Sequence, residues 1–154
     1  MLRIELTDWD SAHEEASAIR RAVFVLEQGV PEELELDSHD ALCVHALARD
    51  ETGRAVGTAR LLPSERRGER AVAHVGRMAV LARWRGRGIG GALLERLIEA
   101  AAGRGDSEVA LSAQTHALNF YRAHGFTEEG EEFFDAGIPH RTMRRRLQPA
   151  SGNS

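Results

Sequence analysis

The chain has 154 residues, 42% hydrophobic and 29% charged, the size and balance of one globular domain with a buried core. Its formal charge of −4 argues against binding nucleic acid by phosphate neutralisation, although Arg141 and the run Arg144 to Arg146 are locally basic. Cys43 is the single cysteine, which excludes a disulfide within the chain, and no apolar stretch has the length of a signal core or membrane span, so a cytoplasmic protein away from the membrane is expected.

Leu2 to Leu6 alternates apolar and polar residues at period two and predicts a half-buried first strand. Ser11-Ala12-His13-Glu14 reads as a capping box, and Ala16, Ile19, Val23 and Leu26 lay one apolar stripe along the following helix. Gly29 and Pro31 end it. Residues 32–40 are acidic and show neither period, so an irregular loop is predicted. Strands at 41–48 and 54–62 flank Asp50-Glu51-Thr52-Gly53, which has the composition of a hairpin turn.

A polar loop from Ser64 to Arg70 then leads to a strand at 71–81, a glycine-rich loop and a helix at 88–103. A strand at 108–112, a helix at 116–124 and strands at 126–134 and 140–147 complete the pattern. Strands first and a βαβ unit later predict an α/β (α+β) domain with a mixed sheet over residues 1–147. Residues 148–154 read as a flexible polar tail.

Arg85-Gly86-Arg87-Gly88-Ile89-Gly90, followed by Gly91, carries the strongest chemical signal. Glycines without Cβ let phosphate oxygens approach the backbone amides, and a helix starting here offers unpaired N–H groups and the positive end of its dipole. Arg83, Arg85 and Arg87 add mobile positive charge. Gly86, Gly88 and Gly91 also satisfy GxGxxG, and Asp106 lies at about the right distance for a ribose contact. The context disagrees: charged residues separate the loop from its strand, the loop is mid-chain, and Asp106 precedes the next strand. No Gly-Lys-Ser/Thr follows, which excludes a Walker loop.

These residues resemble the Gln/Arg-x-x-Gly-x-Gly/Ala signature of the GCN5-related N-acetyltransferase (GNAT) superfamily. Met78-Ala79-Val80 looks like the end of that family's fourth strand, and Asn119-Phe120-Tyr121 with Gly125-Phe126 looks like its second signature. Val23-Phe24-Val25, Glu27-Gln28, Val30-Pro31 and the late Gly137-Ile138-Pro139-His140 are similar to the bacterial ElaA-like branch. The resemblance implies a mostly antiparallel twisted sheet of about six or seven strands, with helices on both faces and a splayed strand pair holding acetyl-CoA.

It further implies that Met78, Ala79, Val80, the loop from Arg85 to Gly91 and Asn119 contact the cofactor, and that Tyr121 is the general acid. The base stays open between His74, Glu27 and a water chain. Glu27, Gln28 and His140 would line the site of a small-molecule or peptide amine, toward which Glu27, Glu32, Glu33, Glu35, Asp37 and Asp40 would exert an electrostatic attraction. No metal is expected, and the chain would act as a monomer or homodimer. A non-catalytic acyl-CoA-binding module is the alternative to an enzyme.

Overall fold

A computed structural model describes residues 2–35 and 37–147; the polar tail expected at 148–154 lies outside the described residues. Strands β1 (Arg3–Thr7), β2 (Val44–Arg49) and β3 (Ala55–Leu61) run antiparallel, with Ile4 opposite Ala48 and Ala46 opposite Ala59. The β2–β3 turn forms as predicted, because the Asp50 carboxylate accepts from the backbone N–H groups of Thr52 and Arg54. β5 (Arg70–Val80) pairs antiparallel with β3 and parallel with β6 (Glu108–Gln114), after which β8 (Ile138–Arg146) and β7 (Thr127–Asp135) complete the sheet.

The strand order is β1-β2-β3-β5-β6-β8-β7, the mixed sheet that the sequence predicts. An eighth strand, β4 (Glu65–Arg67), pairs with the start of β5 inside the stretch expected to be a polar loop. Its three side chains are charged and exposed, so no apolar period announces it.

Helices cover both faces. Leu47 of β2 packs beneath α1 (Trp9–Arg20) with Ala12, Ala16 and Ile19, whereas its neighbours Ala46 and Ala48 join the larger core under α3 (Ile89–Gly103). Adjacent strand residues serve opposite layers because side chains alternate across a sheet. α1 starts before the position that the capping box indicates: Asp8 is extended and its carboxylate accepts from the Ser11 N–H at 3.0 Å, so Ser11 falls inside the first turn. The helix continues as a π-helical stretch, Arg21–Glu27, and ends before Gly29 at φ 76°.

The segment expected to be irregular carries one helical turn, α2 (Glu32–Glu35), and a 3-10 turn, Asp40–Leu42. Ion pairs order it. Arg20 Nε binds Glu35 at 2.5 Å while its Nη atoms take both oxygens of Asp40 at 2.8 and 3.0 Å. Arg60 of β3 spans Asp37 and Asp40 at 2.8–2.9 Å, and Arg77 of β5 reaches Asp37 at 3.1 Å. Arg20, Glu35, Asp40 and Arg60 are all buried. Cys43 is buried beside them, its Sγ donating to the His39 carbonyl, and burial raises its pKa.

The feature that shapes the site is a divergence in the sheet. β5 and β6 pair only at Val72–Glu108, Ala73–Val109 and His74–Ala110. Beyond that point β5 stays with β3 from Val75 to Val80, while β6 follows β8 to Gln114. β5 also bulges, with Arg77 and Met78 opposite the single residue Ala59 between the Gly76–Arg60 and Ala79–Thr58 pairs. Arg77 takes the left-handed φ of 50° that this requires.

Candidate active site

A cleft of about 1340 Å³ occupies the wedge between the diverging strands. One wall is the bulged end of β5, and the other is formed by β6, β8 and the segment from Ala117 to Tyr121, which includes part of α4 (Leu118–Ala123). The start of α3 closes the top, and residues from the end of the first helix lie across the mouth.

The glycine loop meets α3 as the sequence predicts. Gly88, at φ 81°, sits at the helix N-cap, and no side chain caps the first turn. Its free N–H groups therefore meet the cleft beside Gly86, Ile89, Gly90 and Gly91, which all line it. The helix start lies close on β3: a Cβ built on Gly57 would come within 3.1 Å of both Ile89 Cγ2 and Leu93 Cδ1. An uncapped helix N-terminus with open backbone in front of it suits an anion such as a phosphate group.

Most of the residues singled out from sequence come together here. Glu27, Gln28, His74, Met78, Ala79, Val80, Arg85, Tyr121 and His140 line the same cleft as the loop glycines. Arg87 and Asn119 do not. The Arg87 guanidinium stacks over Trp84 at 4.7 Å and faces a separate shallow concavity, and Asn119 Oδ1 accepts from Arg122 Nη1 at 2.7 Å. Both are diverted by partners that lie near in sequence but contribute nothing to a motif.

Arg85 and Glu27 form a forked ion pair, with both N···O distances 2.6 Å, while Arg85 Nε donates to the Val80 carbonyl at 2.9 Å. The guanidinium holds the Glu27 carboxyl below its ordinary pKa, and the carboxylate raises that of Arg85. His74 Nε2 lies 2.8 Å from Glu65 of β4, a contact invisible in a sequence where β4 itself cannot be seen. Burial pushes the Tyr121 phenol up to about 12. Its ring meets Phe120 edge-on at 4.9 Å and Phe126 at 6.0 Å, and its hydroxyl has no hydrogen-bond partner among the described residues.

Gln114 and His116 belong to the site but carry no sequence signal. Gln28 and Gln114 exchange amide hydrogen bonds at 3.0 and 3.4 Å across the mouth, and His116 Nε2 lies 2.7 Å from Gln114 Oε1. Eighty-six positions separate the two glutamines, so only the fold makes them a pair.

The acidic segment does not work as expected. Glu27 pairs with Arg85, Glu32 with Arg21, Glu35 with Arg20, Asp37 with Arg60 and Asp40 with Arg20 and Arg60. The attraction that six carboxylates would exert on a cation is thus largely cancelled at short range. Two arginines of the C-terminal basic run are likewise paired: Arg144 binds Glu108 and Glu129, and Arg145 binds Glu95. Among the described residues no cluster of three or more His, Cys, Asp or Glu could hold a metal ion, and no helix is long and apolar enough to cross a membrane.

Known proteins share this fold. The family described as "Acetyltransferase (GNAT) domain" matches residues 10–147. A Bacillus subtilis (strain 168) protein, the uncharacterized N-acetyltransferase YjcF, is 38% identical over 132 residues, covering 85% of this chain and 90% of that protein. Two crystal structures, an acyl-CoA N-acyltransferase from Pseudomonas aeruginosa and Escherichia coli ElaA, superpose with TM-scores of 0.81 at 31% and 30% identity. Each alignment covers 94% of this chain and 99% of the other. With the domain matched from α1 to the end of the sheet, this chain belongs to the GNAT acetyltransferase family and is an acyltransferase.

Proposed function

We propose that the protein moves an acetyl group from acetyl-CoA to a primary amine by direct attack in a ternary complex, with Tyr121 as general acid. The observation that carries this reading is the continuous path from the uncapped start of α3, along the bulged end of β5, to a tyrosine hydroxyl with no hydrogen-bond partner among the described residues. The amides of Gly86, Gly88, Ile89 and Gly90, with Arg85, would hold the pyrophosphate. Backbone groups of Met78, Ala79 and Val80 would hold the pantetheine and the thioester carbonyl, since the divergence from β6 leaves that edge of β5 without a strand partner. The bound thioester supplies the activated acetyl group.

Tyr121 stays neutral across the working pH range because burial raises its pKa, so its proton is available to the departing sulfur. Glu27 is a weak base in this arrangement, since Arg85 keeps its carboxylate in the ionised form at low proton affinity. Glu27, Gln28 and His140 border the space left for the amine.

Titrating the protein with acetyl-CoA in a calorimeter, then following thiol release with a panel of small amines and peptides, tests the reading. Binding with a 1:1 stoichiometry and amine-dependent thiol release are expected. Failure to bind acetyl-CoA would overturn it, and binding without release on any amine would favour the non-catalytic module. Tyr121→Phe should bind acetyl-CoA like the parent while losing about 10²-fold in kcat, as for other positioned proton donors.

A further inference from the structure

We infer that His140 is the general base of this reaction, a role that rests on the acetyl-transfer reading and gives it its missing proton acceptor. His140 lies on β8 between Gln114 of β6 and Phe133 of β7, its partners in register. The residue is 9% exposed, yet it lines the cleft.

The hydrogen bonding fixes which ring nitrogen is basic. Nδ1 lies 2.7 Å from the carbonyl oxygen of Ile138. A carbonyl only accepts, so the neutral ring carries its proton on Nδ1 and leaves the lone pair on Nε2. Phe133 stacks on the ring at 5.8 Å with 21° between planes, which fixes its orientation. Nε2 has no partner among the described residues and is not sealed from solvent. His140 lines the cleft, and Nε2 is the unpaired, accessible nitrogen of an otherwise packed ring. His74, which also lines the cleft, is by comparison tied through Nε2 to Glu65 and sits at the last β5–β6 pair.

In the reaction, an ammonium acceptor gives one proton to His140 Nε2, and the freed nitrogen lone pair forms the C–N bond to the acetyl carbonyl carbon. The C–S bond breaks with its electron pair on sulfur, and sulfur takes the proton of Tyr121. The phenolate recovers a proton from the acylated nitrogen, and the imidazolium returns its own to solvent. The products are the amide, the free thiol and one proton.

The test uses His140→Asn, whose Nδ2 keeps a donor for the Ile138 carbonyl and removes the base. With an amine that the parent enzyme acetylates, the variant should bind acetyl-CoA unchanged and lose roughly 10²-fold in kcat. A rise in KM with kcat intact would make His140 a lining residue and overturn the assignment, as would unchanged kinetics. If no amine in the panel is turned over, the 15N-labelled parent protein still decides: two-bond 1H–15N spectra should show His140 as the Nδ1–H tautomer, and an Nε2–H tautomer overturns the role. Failure of the parent to bind acetyl-CoA instead overturns the transferase reading, and the base falls with it. A circular-dichroism melt of His140→Asn separates lost folding from lost chemistry. In a variant that melts early, the kinetic comparison passes to His140→Gln and the tautomer measurement to the parent chain.

Discussion

At the residue scale, the ion pair between Glu27 and Arg85 links the end of the first helix to the glycine loop beside the cleft. An anion arriving at Arg85 meets a guanidinium whose fork already holds a carboxylate in the geometry that a phosphate would take. Glu27→Gln should therefore tighten acetyl-CoA binding by roughly two- to five-fold in a calorimetric titration, since an exposed pair contributes at most about 1 kcal/mol. Weaker binding would mean that Glu27 holds Arg85 ready and does not compete for it. Tyr121 yields a second prediction through its pKa of about 12. A general acid works while protonated, so loss of kcat/KM assignable to Tyr121 should be absent up to about pH 10 and begin only as pH nears the phenol's own value. A limb centred between pH 8 and 9 that disappears in Tyr121→Phe would contradict this. The two residues also show how far sequence reached: Tyr121 was legible because its motif is local, whereas the partner of Glu27 is 58 positions away.

At the element scale, the position of α3 depends on a small residue in another element. Gly57 of β3 lets Ile89 and Leu93 lie close, and Ile89 belongs to the first turn of α3, which lines the cleft. Gly57→Ala should cost about 1–3 kcal/mol in urea unfolding through overpacking and, by lifting the helix start, weaken acetyl-CoA binding as well. Stability lost with affinity intact would separate the packing from the site. The loop and helix were readable from Gly86, Gly88 and the apolar run after them, since a turn and a helical period are properties of neighbouring residues. Three facts escaped: β4, the helical turn α2, and the exact start of α1. Each depends on a partner distant in sequence or, for α1, on Asp8 competing successfully with Ser11 as the cap.

At the scale of the whole molecule, the largely buried cluster of Arg20, Arg60 and Arg77 with Glu35, Asp37 and Asp40 ties α1, α2, β3 and β5 into one body beside the cleft. Removing one partner leaves buried charge uncompensated, so Arg20→Leu should destabilise the fold by about 3–5 kcal/mol in equilibrium unfolding. Hydrogen bonds from Arg60 hold Asp37 well below its ordinary value of 3.8, and at Asp40 the pull of Arg20 and Arg60 outweighs burial, which acts the other way. Both carboxyls are thus more acidic folded than unfolded. Their contribution to stability is complete above about pH 4 and is lost as pH falls through the lower folded values. The melting temperature should be steady above pH 5 on account of these groups and fall steeply below pH 4, and the fall should be shallower in Arg20→Leu, where part of the linkage is gone.

The sequence by itself determined the order of elements, the glycine loop at the head of α3, the tyrosine of the second motif and, through their resemblance, the acyltransferase family. These are set by contiguous residues: a strand period, a helical period, a turn that needs glycine. The tertiary structure decided the divergence of β5 from β6, the diversion of Arg87 and Asn119 from the cleft and the neutralisation of the acidic segment by arginines from several elements. It also decided which nitrogen of His140 is free, because a ring tautomer is set by the carbonyl it faces in space. Charge and hydrogen bonding act over a few ångströms, and only the folded chain states which groups lie within that reach.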